Sequence, residues 1–288
     1  MNINFYKYRI FAFVFSITIL LFSTILFAYK SLNLGIDFKG GIMIEAKFSE
    51  IPVISELRKK IENLDIGNSE IQEFGEPSII LFKLENSSAE KNTNLIIDKF
   101  KESIGTEVDY RRVEFVGPKV GKELKIIALK AIIFSLIAMF IYIWFRFSGW
   151  QFGLGALIAL FHDVISTIGF FSITQIEFNL ASIAAILTIA GYSINDTVVV
   201  FDRIRENLVK SELEFSSLLN KSINQTLSRT FMTSITTLLA LAALFIFGGE
   251  VIKGFVSAMI WGVLIGTYSS IFIASPLIIL FGYKYNKS

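Results

Sequence analysis

Six long apolar runs alternate with charged stretches along the chain. A bilayer core is about 30 Å thick, and a helix needs about 20 mostly apolar residues to cross it. The runs therefore predict six transmembrane helices. They are Ile10–Tyr29, Ile126–Phe145, Phe152–Thr174, Phe178–Phe201, Thr230–Phe247 and Phe255–Phe281. Pro276 predicts a kink or an early end in the last run, because proline lacks the N–H that a helix interior uses.

The segment between the first two runs has a different pattern. In "GIMIEAKF", Ile42, Ile44, Ala46 and Phe48 alternate with polar residues, which predicts a strand with one buried face. A helical stripe, two further strands, a second amphipathic helix and a last strand follow. This β-α-β-β-α-β order is the ferredoxin-like pattern.

The predicted architecture is an α-helical polytopic membrane protein with one α+β ferredoxin-like domain. Residues 1–30 form the first transmembrane helix, which we interpret as a retained anchor. Residues 31–125 form the α+β domain, and residues 126–288 form a five-helix transmembrane region. The segment 203–228, between the fourth and fifth predicted transmembrane helices of the chain, is amphipathic. It has Leu208, Leu218, Leu219 and Ile223 among charges. This segment is expected to lie along the inner membrane surface.

Lysine and arginine residues in the short loops set the predicted orientation. With the N-terminus inside, the inner segments carry Lys7, Arg9, Arg146, Arg203, Arg205, Lys210, Lys221, Lys284 and Lys287. The short outer loops carry only Lys253. The positive-inside rule therefore predicts that both termini are cytoplasmic and that the α+β domain lies outside the cytoplasm.

Composition narrows the possible chemistry. The chain has 288 residues, of which 53% are hydrophobic, and its net charge is +2. This balance gives no reason to expect a nucleic-acid partner. There are no cysteines and there is one histidine, His162. Disulfides, cysteine-ligated zinc and multi-histidine metal sites are therefore excluded, and neither a metal nor a cofactor is expected.

Two glycine-bearing turns flank the α+β domain. "LGIDFKGG" contains Gly35, Asp37, Gly40 and Gly41, and "VGPKVGKEL" contains Gly117, Pro118 and Gly121. One interpretation is that both are tight turns that anchor the domain. The other is that they are hinges on which the domain swings.

Polar residues inside the predicted membrane helices are the candidate functional groups. Asn195 and Asp196 interrupt the fourth run, and His162 and Asp163 interrupt the third. Arg229, at the start of the fifth run, is the natural counter-charge for Asp196. An aspartate at a helix centre costs roughly 2.5–3.5 kcal/mol on insertion scales, so such residues usually face the bundle interior and have a function. We interpret these five residues as a proton relay.

A structural explanation of the polar residues stays open beside the relay. In that explanation they only join helices, a common role for hydroxyl and small residues in membranes. Gly191, Gly262 and Gly266 are predicted helix-packing positions, since Gly262 and Gly266 match the GxxxG spacing.

Three motifs in this order resemble the SecD/SecF family of protein-export membrane proteins. They are "GIDFKGG" after the first helix, "LFHDV" in the third and "GYSINDTVVVFDRIREN" at the end of the fourth. The family is related to the resistance-nodulation-division transporters, so the resemblance implies six helices that form one half of such a transporter. It also implies that Asp196 carries the proton and that Arg229 is its partner.

The resemblance further implies a role in Sec-dependent export from the bacterial inner membrane, with the α+β domain in the periplasm. SecD would be the partner half, SecYEG the channel and SecA the ATP-driven motor, with YajC as a further candidate partner. Proton flow would help SecD and its partner to pull unfolded preproteins outward.

Two alternative functions stay open. One is half of a proton-coupled small-molecule exporter of the same superfamily, and the other is a structural subunit with no proton role. An enzyme is disfavoured. A two-aspartate protease would need a GxGD motif, and here the residues before Asp196 are Tyr192, Ser193, Ile194 and Asn195.

Overall fold

The computed structural model describes residues 3–64, 69–84, 93–105, 107–147, 149–210 and 213–282. The chain divides into two compact units. We call Met1–Asn33 with Lys130–Ser288 the helical unit, and Leu34–Leu129 the α/β unit. The helices are α1 (Arg9–Lys30), α2 (Ile36–Lys39), α3 (Ile54–Glu62), α4 (Thr93–Ile104), α5 (Pro118–Phe147), α6 (Trp150–Thr174), α7 (Leu180–Lys210), α8 (Phe215–Phe247), α9 (Glu250–Ser269) and α10 (Ser275–Leu280). The strands are β1 (Gly41–Lys47), β2 (Ser69–Phe74), β3 (Glu76–Leu84) and β4 (Asp109–Val116).

The six predicted membrane spans are confirmed. Within the described residues, six helical segments are long and apolar enough to cross a bilayer: Phe5–Lys30, Pro118–Phe147, Trp150–Thr174, Leu180–Lys210, Phe215–Phe247 and Glu250–Leu280. The third and sixth segments are the most buried inside the chain, whereas the first, second and fifth are mostly exposed. The third and sixth therefore form the centre of the helical unit.

The amphipathic segment 203–228 differs from its prediction. Its first part continues α7 and its last part begins α8, so it is not a separate surface helix. These helices have 31 and 33 residues, or about 46 and 50 Å at 1.5 Å per residue, longer than the bilayer core. Leu208, Leu218, Leu219 and Ile223 are buried in one core cluster with Ile204. Because these side chains pack inside the chain, they are not available to a membrane surface.

Ile3 and Tyr6, which precede α1, are held by the start of α8. Before α1 the chain makes a 3-10 turn, Phe5–Tyr8. The Ile3 N–H donates to Asn224 Oδ1 at 2.9 Å, and Asn224 Nδ2 donates to the Ile3 carbonyl at 2.7 Å. The Tyr6 N–H donates to Asn220 Oδ1 at 2.9 Å. These side chains join two segments that are distant in sequence.

Pro276 does not end the last helix. Instead, α9 passes into a π-helical turn, Ser270–Ala274, and then into α10. Proline has no N–H for the carbonyl four residues earlier, and a helix can accommodate such a gap by local widening to π geometry. The predicted irregularity is therefore a change of helix type.

The α/β unit has the predicted β-α-β-β-α-β order. Its strands form one antiparallel sheet in the order β2-β3-β1-β4. Ile42, Ile44 and Ala46 of β1 are fully buried, as their alternation predicted. They share one core with Phe82 of β3, Phe100 of α4 and apolar residues of α3. The short helix α2, between Gly35 and Gly40, was not predicted.

The two glycine-bearing turns pack against each other inside this unit. Gly40 has φ +80°, and a Cβ added there would lie 3.0 Å from Pro118 Cα. A Cβ at Gly121, in the first turn of α5, would lie 3.0 Å from the Phe38 carbonyl oxygen. This close backbone approach favours the tight-turn interpretation. Swinging at these positions, which also include Gly35, Asp37, Gly41 and Gly117, stays a prediction.

Gly40 and Gly75 form a matched pair for testing the close approach. Both have φ near +80°, but nothing lies within 4 Å of a Cβ built on Gly75. We expect Gly75→Ala to cost about 1–2 kcal/mol, the penalty of a positive φ. Gly40→Ala should cost about 1–3 kcal/mol more, because the methyl group meets backbone and because φ 80° with ψ 159° is a conformation that essentially only glycine adopts. Hydrogen exchange of the β1 and β4 amides in the full chain measures the difference, and equal losses would contradict the packed joint.

Candidate functional site

Asp163 is the centre of a buried hydrogen-bond cluster in the helical unit. Its side chain is 0% exposed. Its Oδ2 accepts from Ser193 Oγ of α7 at 2.6 Å and from Ser269 Oγ of α9 at 2.8 Å. Its Oδ1 lies 3.0 Å from His162 Nδ1. We call these four residues the Asp163 cluster. They join three helices through one carboxyl group, which accepts from two hydroxyl donors.

His162 has one nitrogen in this cluster and one outside it. Its Nδ1 faces the Asp163 carboxyl group, 3.0 Å from Oδ1. The ring is buried beside Tyr268, with ring centroids 6.1 Å apart. Its Nε2 has no hydrogen-bond partner among the described residues. His162 is therefore oriented by Asp163.

Asp196 is buried on α7 but lies outside the Asp163 cluster. It is 2% exposed, and its Oδ2 has no hydrogen-bond partner among the described residues. Thr233 and the positive charge of Arg229, both on α8, act on its carboxyl group. Within the described part of the chain, Asp196 and Arg229 form no ion pair at 4.0 Å or less. The predicted counter-charge is thus nearby but not in contact.

A second group of hydroxyls continues from the Asp163 cluster along α7. Thr197 Oγ1 lies 2.8 Å from Ser270 Oγ. Ser270 Oγ also lies 3.1 Å from the Ser193 carbonyl oxygen. Thr197, Ser269 and Ser270 were missed by sequence reasoning. The signal in the sequence was the adjacent pair Ser269 and Ser270 in an apolar run, with Ser270 six residues before Pro276.

Asn195 does not join the other predicted relay residues. It is exposed on the side of α7 opposite Ser193 and Thr197, on a stripe with Ala181, Ala184, Thr188 and Gly191. Successive members are three or four residues apart, the spacing of one helix face. Asn195 is therefore not among the buried polar residues of this chain, and its part in the proton relay stays a prediction. We call these five residues the outer stripe of α7.

The predicted packing glycines separate into two groups. Gly262 lies against Ile189, and a Cβ at Gly266 would lie 3.0 Å from Ser193 Cβ. Both therefore allow α7 to approach α9. A Cβ built on Gly191 would meet nothing within 4 Å in the described chain. Gly191 is thus not a packing position among the described helices.

No group of three or more histidine, cysteine, aspartate or glutamate side chains that could hold a metal ion occurs in the described residues. The groups around the two buried aspartates are their carboxyl groups, the imidazole of His162, the guanidinium of Arg229 and several hydroxyls. Such groups exchange protons and hydrogen bonds.

Two family descriptions match this chain. Residues 96–284 match "Protein export membrane protein SecD/SecF, C-terminal", and residues 32–50 match "SecD/SecF GG Motif". The chain is 44% identical to protein translocase subunit SecF of Rickettsia rickettsii over 99% of its own length and 94% of that protein. It is 45% identical to the protein of the same name from Rickettsia felis, with the same coverage.

Two solved structures resemble the fold. The crystal structure of SecDF from Thermus thermophilus, a translocon-associated membrane protein, superposes with a TM-score of 0.84 at 35% identity. A structure of SecDF in a super-membrane-facing form gives a TM-score of 0.72 at 35% identity. Each match covers 98% of this chain but only 39% of the solved chain.

Proposed function

The chain belongs to the SecD/SecF family of protein translocase subunits, and on that premise we propose that it works with SecD to promote late steps of preprotein export, driven by the proton motive force. The observation that carries the proton-coupled part is the environment of Asp196. This carboxyl group is buried in a membrane-spanning helix, with one oxygen unpartnered among the described residues. An arginine interacts with it from the neighbouring helix.

In this proposal Asp196 has two states. When ionised, it attracts the guanidinium of Arg229 and moves the two helices toward an ion pair. When protonated, it is neutral, and Arg229 is released toward another partner or water. A charge that crosses a potential of 100 mV changes its free energy by about 2.3 kcal/mol, enough to bias two states that differ by one or two kcal/mol. His162 and Asp163 belong to the proposed relay as an adjoining proton-holding pair.

SecD is the proposed partner half, and the outer stripe of α7 is its proposed contact. Asn195 and Thr188 would face lipid if this side of the helix stayed uncovered, which is unfavourable for polar groups at membrane depth. Ala181, Ala184 and Gly191 are small and let a second helix approach closely. The solved SecDF chain is much longer than this one, so its remaining part has room for such a half.

The other proposed partners follow from membership of the export pathway. They are the SecYEG channel, SecA as the ATP-driven motor that acts before this step, YajC, and unfolded preproteins. The edge strand β4 of the α/β unit exposes Val113 and Phe115. Apolar side chains beside an open strand edge are suited to an extended chain.

We place the chain in the bacterial inner membrane with both termini in the cytoplasm and the α/β unit in the periplasm. The support is the excess of lysine and arginine in the inner loops and the six spans. A reporter enzyme that is active only outside the cytoplasm should be inactive when it is fused after Glu214, between α7 and α8. Activity there would reverse the orientation.

Export measured with and without a proton gradient tests the function. Inner-membrane vesicles that contain the Sec channel, SecD and this chain receive a preprotein arrested after its ATP-driven step. We expect the gradient to speed completion only when this chain is present. Unchanged completion in vesicles that lack the chain would contradict the proposal. A requirement for the chain without any gradient effect would favour the purely structural alternative, and gradient-driven dye efflux would favour the exporter.

A further inference from the structure

The side of α7 opposite its outer stripe is attached to α6 and to the last membrane span by hydroxyl groups. Ser193 donates to Asp163 of α6 at 2.6 Å. One turn later, Thr197 bonds to Ser270 at 2.8 Å. Ser193, Thr197 and Ser270 are all 1% exposed or less. Two attachments four residues apart on one face restrict the rotation of a helix about its own axis.

The last span reaches both attachment points through two serines at the junction of α9 and the π turn. Ser269 and Ser270 are adjacent, and both are 0% exposed. Ser269 bonds to Asp163, and Ser270 bonds to Thr197 and to the Ser193 carbonyl. The turn that begins at Ser270 is closed by Ser275 Oγ, which donates to the Ser270 carbonyl at 2.8 Å. Neighbouring residues of a helix point about 100° apart, so the two hydroxyls meet two different helices.

Asp196 lies between these attachments along α7. It follows Ser193 by three residues and precedes Thr197 by one, and each residue turns a helix by about 100°. Holding Ser193 and Thr197 against α6 and the π turn therefore directs Asp196 toward α8. Thr233 and the charge of Arg229 act on its carboxyl group from α8. Tyr192, four residues before Asp196, bonds to Ser234 of α8 at 3.4 Å.

From this arrangement we infer that Thr197 and Ser270 are positioning residues for the proton step, because their hydrogen bond sets the direction in which the Asp196 carboxyl group points. The inference rests on the proposed function of Asp196 and adds the hydrogen bond that orients its carboxyl group. Neither residue takes up the proton. The hydroxyl pair keeps the carboxyl on the path to Arg229 while α7 stays attached to α6 and the last span.

Thr197 permits a sharp test because two substitutions separate its hydroxyl from its shape. Thr197→Val keeps the size and branching but removes the hydroxyl, and Thr197→Ser keeps the hydroxyl. A displacement of a reacting group by about 1 Å can cost up to about 100-fold in rate. Since Ser193 still holds α7, we expect Thr197→Val to lower gradient-stimulated export about tenfold at equal protein level. Thr197→Ser should stay within about twofold of the wild type.

Infrared difference spectra between acidic and alkaline buffer distinguish a positioning role from a merely structural one. A substitution that only destabilises the fold should leave the carboxyl band of the folded protein unchanged. The C=O stretch of a protonated carboxyl reports its hydrogen bonding, and the Asp196 band is identified by its loss in Asp196→Asn. We expect this band to shift or broaden in Thr197→Val and in Ser270→Ala, with no further change in the double variant. It should stay in place in Thr197→Ser. Ser172→Ala, which removes a buried hydroxyl without a partner in the described residues, is the control.

The outcomes separate the inference from the function on which it rests. If Asp196→Asn removes no carboxyl band, Asp196 does not carry the proton, and both fail. If that band is present but unchanged in Thr197→Val, with normal export, only the positioning role is wrong. Equal effects of Thr197→Val and Thr197→Ser would also overturn it, because side-chain shape would then matter and the hydroxyl would not. Should Ser270→Ala not fold, the two Thr197 variants decide alone.

Discussion

Asp196→Asn should abolish the stimulation of export by a proton gradient while the protein still inserts and binds its partner. Asparagine keeps the size of the side chain but cannot ionise, so it holds the site permanently in a neutral state. The 2% exposure of Asp196 leaves little room for solvent to replace the lost carboxylate. Export in the vesicle assay should fall to the rate seen without a gradient, and the earlier ATP-driven step should continue.

Asp202→Asn is the matched control on the same helix. Asp202 is about half exposed and forms an ion pair with Arg146 at 2.9 Å. Exposed pairs of this kind contribute about 0–1 kcal/mol, so most gradient-stimulated export should survive. Arg229→Met should reproduce the loss seen with Asp196→Asn, because the ionised carboxylate then has no positive partner. Wild-type stimulation in Asp196→Asn would leave Asp196 with only a structural role.

Asp163→Ala should strongly destabilise the helical unit. The substitution removes the acceptor of Ser193, Ser269 and His162 at once. A buried donor left without a partner costs about 1–3 kcal/mol in soluble proteins, although interhelical bonds in membranes average nearer about 0.6 kcal/mol. Summed over three lost bonds, these values span about 2–9 kcal/mol, and because bonds in membranes lie at the lower end we expect a loss of about 2–4 kcal/mol in the free energy of unfolding. Unfolding in mixed detergent micelles measures it.

Ser172→Ala provides the comparison for Asp163→Ala. Both residues lie on α6 and are fully buried, but Ser172 Oγ has no hydrogen-bond partner in the described chain. Removing that hydroxyl breaks no bond, so the change should stay within about 0.5 kcal/mol. Similar losses in the two variants would mean that α6 tolerates no substitution at buried positions. The hydrogen bonds of the Asp163 cluster would then add no stability of their own.

Local pattern was sufficient for the elements themselves. Helical hydrogen bonds close within one segment and the bilayer sets the span length, so each apolar run could be assigned without its neighbours. The alternation of Ile42, Ile44 and Ala46 predicted a buried strand face for a similar reason, since successive side chains point to opposite sides. Aspartates in apolar runs identified candidate positions because an isolated charge is costly there.

Hydropathy did not predict where α7 and α8 end. Apolar runs mark only the part of a helix that crosses the bilayer, whereas α7 and α8 continue past it as packed partners. Leu218 and Leu219 have the same amphipathic spacing whether they meet a membrane or another helix. The buried contact with Ile204 and Leu208 decided between these possibilities.

By itself, the sequence determined the six spans, the order of the α/β unit and the presence of two carboxyl groups at membrane depth. Only the tertiary structure decided which polar groups meet. It brought Asp163 to Ser193 and Ser269, directed Asp196 toward α8, and turned Asn195 to the outside. The physical reason is that these contacts depend on the rotation of each helix about its axis and on the π turn before Pro276. Both are set by packing between segments distant along the chain, whereas hydropathy and spacing report on one segment at a time.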